Sequence, residues 1–380
     1  MKTKLKTLMA VTGGLLLSNL SAQETPKPEQ AKVQIAILLD TSGSMSGLIE
    51  QTKTQLWKVV NTFISAKQNG QVPFVEVALY EYGNDRISKD ANFVRQIQPL
   101  TRDLDQISQD LFSLTTNGGS EFCGAVISSA INELKWDGDP KVYKAIFVAG
   151  NEPFTQGPVN PQEACRAAIG KGVIVNTIHC GSEEQGISGG WKSGALLADG
   201  SYLVINQNAA VVHIEAPQDA KLVQLGESLN KTYIGFGKHA RRKLAMQTVQ
   251  DENAKKKEKS GAAVSRAVTK ASTNYSNSSW DLVDACQTKD FDWTKVKKED
   301  LPKGMQELDT EGRKKYVADK MAERKKIQAE IQKLTKARNG FVAKKRSEMA
   351  MEEGESTLDV AVTNTVRKQA TQKGYQFSEK

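Results

Sequence analysis

The stretch VQIAILLDTSGSM, residues 33–45, is a near-continuous apolar run that stops on Asp40 and passes at once into small hydroxyl side chains. Apolar residues at consecutive positions mark a strand buried on both faces, the pattern of a parallel sheet flanked by helices. A buried strand that ends in clustered side-chain oxygens usually ends at a site, because oxygens are kept inside only where something satisfies them. The flanking sequence repeats the theme. Apolar Leu48, Ile49, Leu56, Val59, Val60, Phe63 and Ile64 recur at helical spacing over 47–68. Strands follow at 74–83, at 92–100 as an edge strand, and at 142–150, 173–181 and 201–206. Helices fall at 103–114, 123–134, 161–172 and 217–233. The alternation predicts an α/β fold, a doubly wound, mostly parallel Rossmann-like sheet over 32–235, with ligands beyond the carboxyl ends of its strands.

Two further polar loops belong to that same edge, TTNGGSEFCGA (115–125) and VAGNEPFTQG (148–157). Asp-x-Ser-x-Ser after a buried strand, a Gly-Gly-hydroxyl loop entering a helix, and a Gly-containing loop after another strand together resemble the von Willebrand factor A (vWA) domain and its metal-ion-dependent adhesion site (MIDAS). The resemblance covers about residues 32–235. It implies that Ser42 and Ser44 bind a divalent ion through their hydroxyls, that Asp40 holds it directly or through water, and that Ser120 stands where the family usually has Thr. A hard ion, Mg²⁺ or Mn²⁺, suits such an oxygen set, with one coordination position left for a carboxylate from a protein partner. The chain departs from the family at Ala149-Gly150-Asn151, where a carboxylate is usual and Gly150 has no side chain. Glu121, Asn151 and Glu152 are the residues that could compensate. With one carboxylate fewer, the ion is expected to be held more weakly and to be more electrophilic.

The N-terminus places Lys2, Lys4 and Lys6 before an apolar run closed by Ser21 and Ala22, the layout of a cleaved secretory signal over 1–22, with 23–31 as a linker. The run is shorter than the roughly 20 residues a membrane span needs. No integral membrane segment is therefore expected in the mature chain, which the reading places in the periplasm or outside the cell. Residues 1–220 carry 18 Lys+Arg, three of them in the leader, against 22 Asp+Glu, while 221–380 carry 34 against 22. The basic half interleaves its lysines with acids and has few aromatics, which argues against nucleic acid as a partner. Residues 236–380 read as a mainly helical basic extension. It comprises a Lys- and Ala-rich segment at 238–272, the break NYSNSSWDLVDAC (274–286), a long helix at 310–350 and a last helix at 356–377.

Four cysteines in an exported chain favour disulfides. Their placement on consecutive elements makes Cys165 with Cys180 the preferred pair, leaving Cys123 and Cys286 free or joined. Asp and Ser at a strand end supply neither a paired base nor a nucleophile with His, so the chain reads as an interaction module and not an enzyme. A metal-independent envelope scaffold and a thiol-disulfide active protein remain the alternatives.

Overall fold

The computed structural model describes residues 31–47, 59–205, 214–256, 261–353 and 358–377. The leader, nearly all of the linker and the first half of the helix expected at 47–68 lie outside them. The strands among the described residues are β1 Lys32–Asp40, β2 Ala66–Lys67, β3 Phe74–Tyr82, β4 Val94–Thr101, β5 Tyr143–Gly150, β6 Ile174–Cys180, β7 Tyr202–Ile205 and β8 Gln376–Phe377. Helices in the first part of the chain are α1 Leu104–Ser113, α2 Cys123–Glu133, α3 Pro161–Gly170, α4 Glu183–Ser188, α5 Trp191–Leu197 and α6 Asp219–Asn230. Those that follow are α7 Ala240–Lys255, α8 Ala262–Lys270, α9 Leu282–Ala285, α10 Lys303–Gln306, α11 Thr310–Glu353 and α12 Leu358–Gln372.

The expected doubly wound sheet is present, in the order β4-β3-β1-β5-β6-β7. Every pairing is parallel except β4 with β3. The chain builds outward from β1 through β3 to β4, then crosses back to place β5 on the other side of β1. The carboxyl ends of β1 and β5 therefore flank the switch point, where open α/β sheets place their ligands.

The apolar run of β1 is explained by two cores. Val33, Ile35, Ile37 and Leu39 face one side, with Leu104, Ile107 and Leu111 of α1. Ala36 and Leu38 face the other, with Val126 and Ile127 of α2 and Ala164 and Ala168 of α3. Alternation along a strand also separates the cysteines. Cys180 packs in the first core and Cys165 in the second, so the sheet lies between them. The expected Cys165–Cys180 disulfide is absent, and all four cysteines are free thiols.

The Gly-rich segment after β6, to which the sequence reading assigns no element, forms α4 and α5. Ser182 caps α4 by accepting from the Gln185 amide, and Trp191 drops into the second core. Beyond α6, the long α11 lies against α6 and α8 through Ile331, Ile327 and Leu334, which meet Leu222, Leu225, Leu229 and Val264. Ile234, Leu282, Val283 and Met305 gather with Val317 of α11 in a smaller core. The last segment returns to the sheet. Val362, Val366 and Ala370 of α12 and Tyr375 join the first core, and β8 pairs antiparallel with β2. A buried polar clasp fixes it: Tyr143 donates to Gln369 Oε1 at 2.8 Å, and Gln369 Nε2 donates to Asn176 Oδ1 at 2.7 Å. Among the described residues no helix is long and apolar enough to cross a membrane.

Candidate metal site at the carboxyl edge of the sheet

Strand β1 delivers Asp40 to the sheet edge fully buried. One oxygen, Oδ1, accepts from the Ser42 amide at 2.7 Å, which turns the chain sharply after the strand. The turn is anchored from below by Met45, a fully buried side chain of the first core. Above it the hydroxyls run in series. Ser42 Oγ and Ser44 Oγ lie 2.8 Å apart, and Ser44 Oγ donates to Asn151 Oδ1 at 3.0 Å. The β1 and β5 loops are thus joined across the switch point.

The loop before α2 is pressed onto the same spot. Gly43 donates its amide to Gly118 O, and Asn117 donates to Thr41 O. Gly119 has φ +125°, and a Cβ there would lie 1.6 Å from Gly83 O, so only glycine lets the two backbones touch. This approach carries Glu121 inward until it is almost wholly buried, with its amide donating to Gln156 Oε1 at 2.8 Å. Glu121 lies close enough to Asp40 and the Ser42 hydroxyl for both to act on its charge. Ser120, one residue earlier, is half-buried, and its hydroxyl makes no hydrogen bond among the described residues.

Two carboxylates thus share one buried spot. Asp40 Oδ2 and Glu121 Oε2 are both buried and have no hydrogen-bond donor among the described residues. Burial pushes both acids above the ordinary carboxylate range, and for Glu121 the neighbouring charge of Asp40 adds to it. Such a pair is stable only with a proton or a cation between its members. Among the described residues no three His, Cys, Asp or Glu side chains cluster as a metal site. The donors here are instead two carboxylates with hydroxyls, a set that fits a hard divalent ion.

The opposite wall is apolar. A Cβ on Gly150 would stand 2.5 Å from Tyr82 Oη, 3.1 Å from the Trp191 ring and 3.2 Å from Asp40 Oδ2. Tyr82 is pinned there by donating to Ala149 O at 3.0 Å, and Trp191 by donating to Glu152 O at 2.8 Å. Aromatic rings therefore fill the room in which a side chain at 150 would sit. Glu152 is half-buried on the rim. Burial raises all four thiols: Cys286 to about 11, Cys165 to about 12, and Cys123 and Cys180 further. His179 is buried, and neither ring nitrogen has a hydrogen-bond partner among the described residues.

The sequence reading named Asp40, Ser42 and Ser44, which the structure brings together, and Glu121, which it places beside them. It missed Tyr82, Gly83 and Trp191. Their role depends on strand register and on α5, for which no local signal stands in the sequence.

Residues 34–186 match the family model described as von Willebrand factor type A domain. Among solved structures, the conserved hypothetical protein BatB from Bacteroides thetaiotaomicron is 18% identical, with 46% of this chain and 90% of that one covered and a TM-score of 0.35. The SpRpn10 VWA domain is 16% identical, with 48% and 92% covered and a TM-score of 0.38. Proximal thread matrix protein 1 of the mussel byssus, solved with a zinc-occupied MIDAS motif, is 14% identical, with 47% and 43% covered and a TM-score of 0.35. No curated protein matches the chain. The sheet and its flanking helices form a vWA domain, followed by a helical C-terminal region.

Proposed function

We propose that this protein is an exported interaction module that grips a protein partner through a divalent cation, Mg²⁺ or Mn²⁺, at the carboxyl edge of its vWA domain. The observation that carries the reading is the buried pair Asp40 and Glu121, each with a buried oxygen that has no hydrogen-bond donor among the described residues. Asp40, Ser42, Ser44 and Ser120 would hold the ion, which when bound supplies an electrophilic point for a partner's carboxylate. The chain's own contribution is to fix the donors on a tight turn and to exclude water from the side walled by Tyr82 and Trp191. Thiol chemistry is disfavoured because burial keeps the thiols protonated. A non-enzymatic role fits a site with no histidine in reach. Export is supported by the leader-like N-terminus. Sequencing the mature protein from the producing cell should find Gln23 first, and an intact leader on the active protein would remove that part.

Calorimetric titration with Mg²⁺ and Mn²⁺ tests the site. The wild type should bind, and Ser42→Ala with Ser44→Ala should abolish binding while leaving the melting temperature of the chelated protein unchanged. Equal and negligible binding by both would leave a metal-independent scaffold as the better reading.

A further inference from the structure

We propose that Glu121 is the second carboxylate of the metal site and replaces the side chain that position 150 lacks; the proposal rests on the metal-site reading above. Three residues could have filled that role, and the structure separates them. Asn151 is engaged, its Oδ1 accepting from the Ser44 hydroxyl. Glu152 sits on the half-exposed rim, and it is its carbonyl that Trp191 holds. Glu121 is buried, unsatisfied at Oε2, and set against Asp40 and Ser42.

The delivery of Glu121 is built into the backbone. The Gly119 contact with Gly83 brings the loop down, and the Gln156 side chain fixes the amide of Glu121 itself. Gly83 lies between the two acids. A Cβ at that position would lie 2.8 Å from Asp40 Oδ1 and 2.8 Å from Glu121 Cγ. The missing side chain at 83 is therefore what lets two carboxylates meet across it. At Gly150 the opposite holds, since Tyr82 and Trp191 occupy the space a carboxylate would need. The site keeps two acids but takes the second from the β3 side of Asp40, by way of the loop before α2. The expectation of a weakly held, more electrophilic ion, which followed from losing a carboxylate at 150, gives way to an ion held by two. A Gly150→Asp substitution, which by sequence alone would repair the site, meets the Tyr82 hydroxyl instead.

The test uses Mn²⁺ alone, titrated into the full chain and followed by the paramagnetic resonance of the free ion. Glu121→Gln should weaken Mn²⁺ binding about tenfold or more, and Glu121→Asp, which keeps the charge on a shorter arm, by less. Glu152→Gln should stay within about twofold, as expected for a half-buried rim charge that acts on the two acids only through space. Chelated Glu121→Gln should melt no lower than the wild type, which shows that the loss is not unfolding; if that variant does not fold, the graded effect of Glu121→Asp decides. Should Glu121→Gln bind as tightly as the wild type while the Ser42→Ala, Ser44→Ala variant does not bind, Glu121 merely shares a proton with Asp40, and this proposal alone falls. A larger loss in Glu152→Gln than in Glu121→Gln has the same result. A wild type that binds no Mn²⁺ overturns the proposal together with the reading beneath it.

Discussion

Around Arg324 of α11 the chain sets Asp281 and Asp284 against a buried guanidinium, whereas at the sheet edge it sets Glu121 against Asp40 with no cation beside them among the described residues. The Arg324 side chain reaches both carboxylates at 2.7 Å, donates to Thr232 O at 2.8 Å and lies over the Tyr233 ring. A second buried cluster follows the same plan. Arg266 pairs with Asp105 and Asp251, and Lys270 with Asp251 at 2.7 Å. Arg266 and its partner cation hold Asp251 below the usual range despite its burial. Asp284 is the partial exception, raised by burial and by Asp281 although Arg324 binds both. Where buried acids serve the fold, the chain brings its own cations. Among the described residues it brings none to Asp40 and Glu121, so that pair is relieved by a proton or by a cation from outside.

The largest expected effect lies on the compensated side. Arg324→Met leaves two buried carboxylates facing each other and should cost about 3–5 kcal/mol in urea unfolding, with no response to divalent ions. A cost near zero would mean that these acids do not depend on their cation, and the contrast would collapse. Next comes Gly150→Ala, whose added methyl has to displace the Tyr82 hydroxyl. It should lose about 1–3 kcal/mol, an overpacking cost, and gain no metal affinity. Stability equal to the wild type would show that the aromatic wall yields.

A smaller effect sharpens the comparison through pH. In chelated protein the folded pKa values of Asp40 and Glu121 stand above their unfolded values. Their contribution is therefore intact at acid pH and is lost as pH rises from the ordinary carboxylate range through the raised values. Asp251, with a lowered value, works in the other direction: its contribution is present above the unfolded pKa and is lost as pH falls. Chelated wild type should accordingly lose a few degrees of melting temperature between about pH 5 and 8, and saturating Mg²⁺ should cancel the loss. A chelated melting temperature that rises over this window, or one that Mg²⁺ leaves unmoved, would contradict an uncompensated pair.

Much of this was legible in the sequence because the signals are local. An apolar run ending at Asp40 and the spacing of Ser42 and Ser44 identify β1 and its turn without any neighbour. Gly150 was equally visible as a departure, but its reason was not, since Tyr82 and Trp191 come from a strand and a helix far along the chain. Glu121 could be named as one of three compensating residues, yet only the meeting of Gly83 with Gly119 singles it out. The disulfide reading failed because sequence neighbourhood places two elements side by side without saying that the sheet runs between Cys165 and Cys180. Arg266 and Arg324 were hidden by composition: in a Lys-rich helical text a charged side chain reads as solvated, and burial of these two depends on acids from other elements.

The return of α12 and β8 to the sheet bears on the order in which the protein can come into being. Tyr375 donates its hydroxyl to Lys32 O, so almost the last described residues close upon the first. During synthesis the apolar face of β1 stays without Val362, Val366 and Ala370 until nearly the whole chain has been made. A ribosome holding the last few dozen residues in its tunnel holds the closing piece as well.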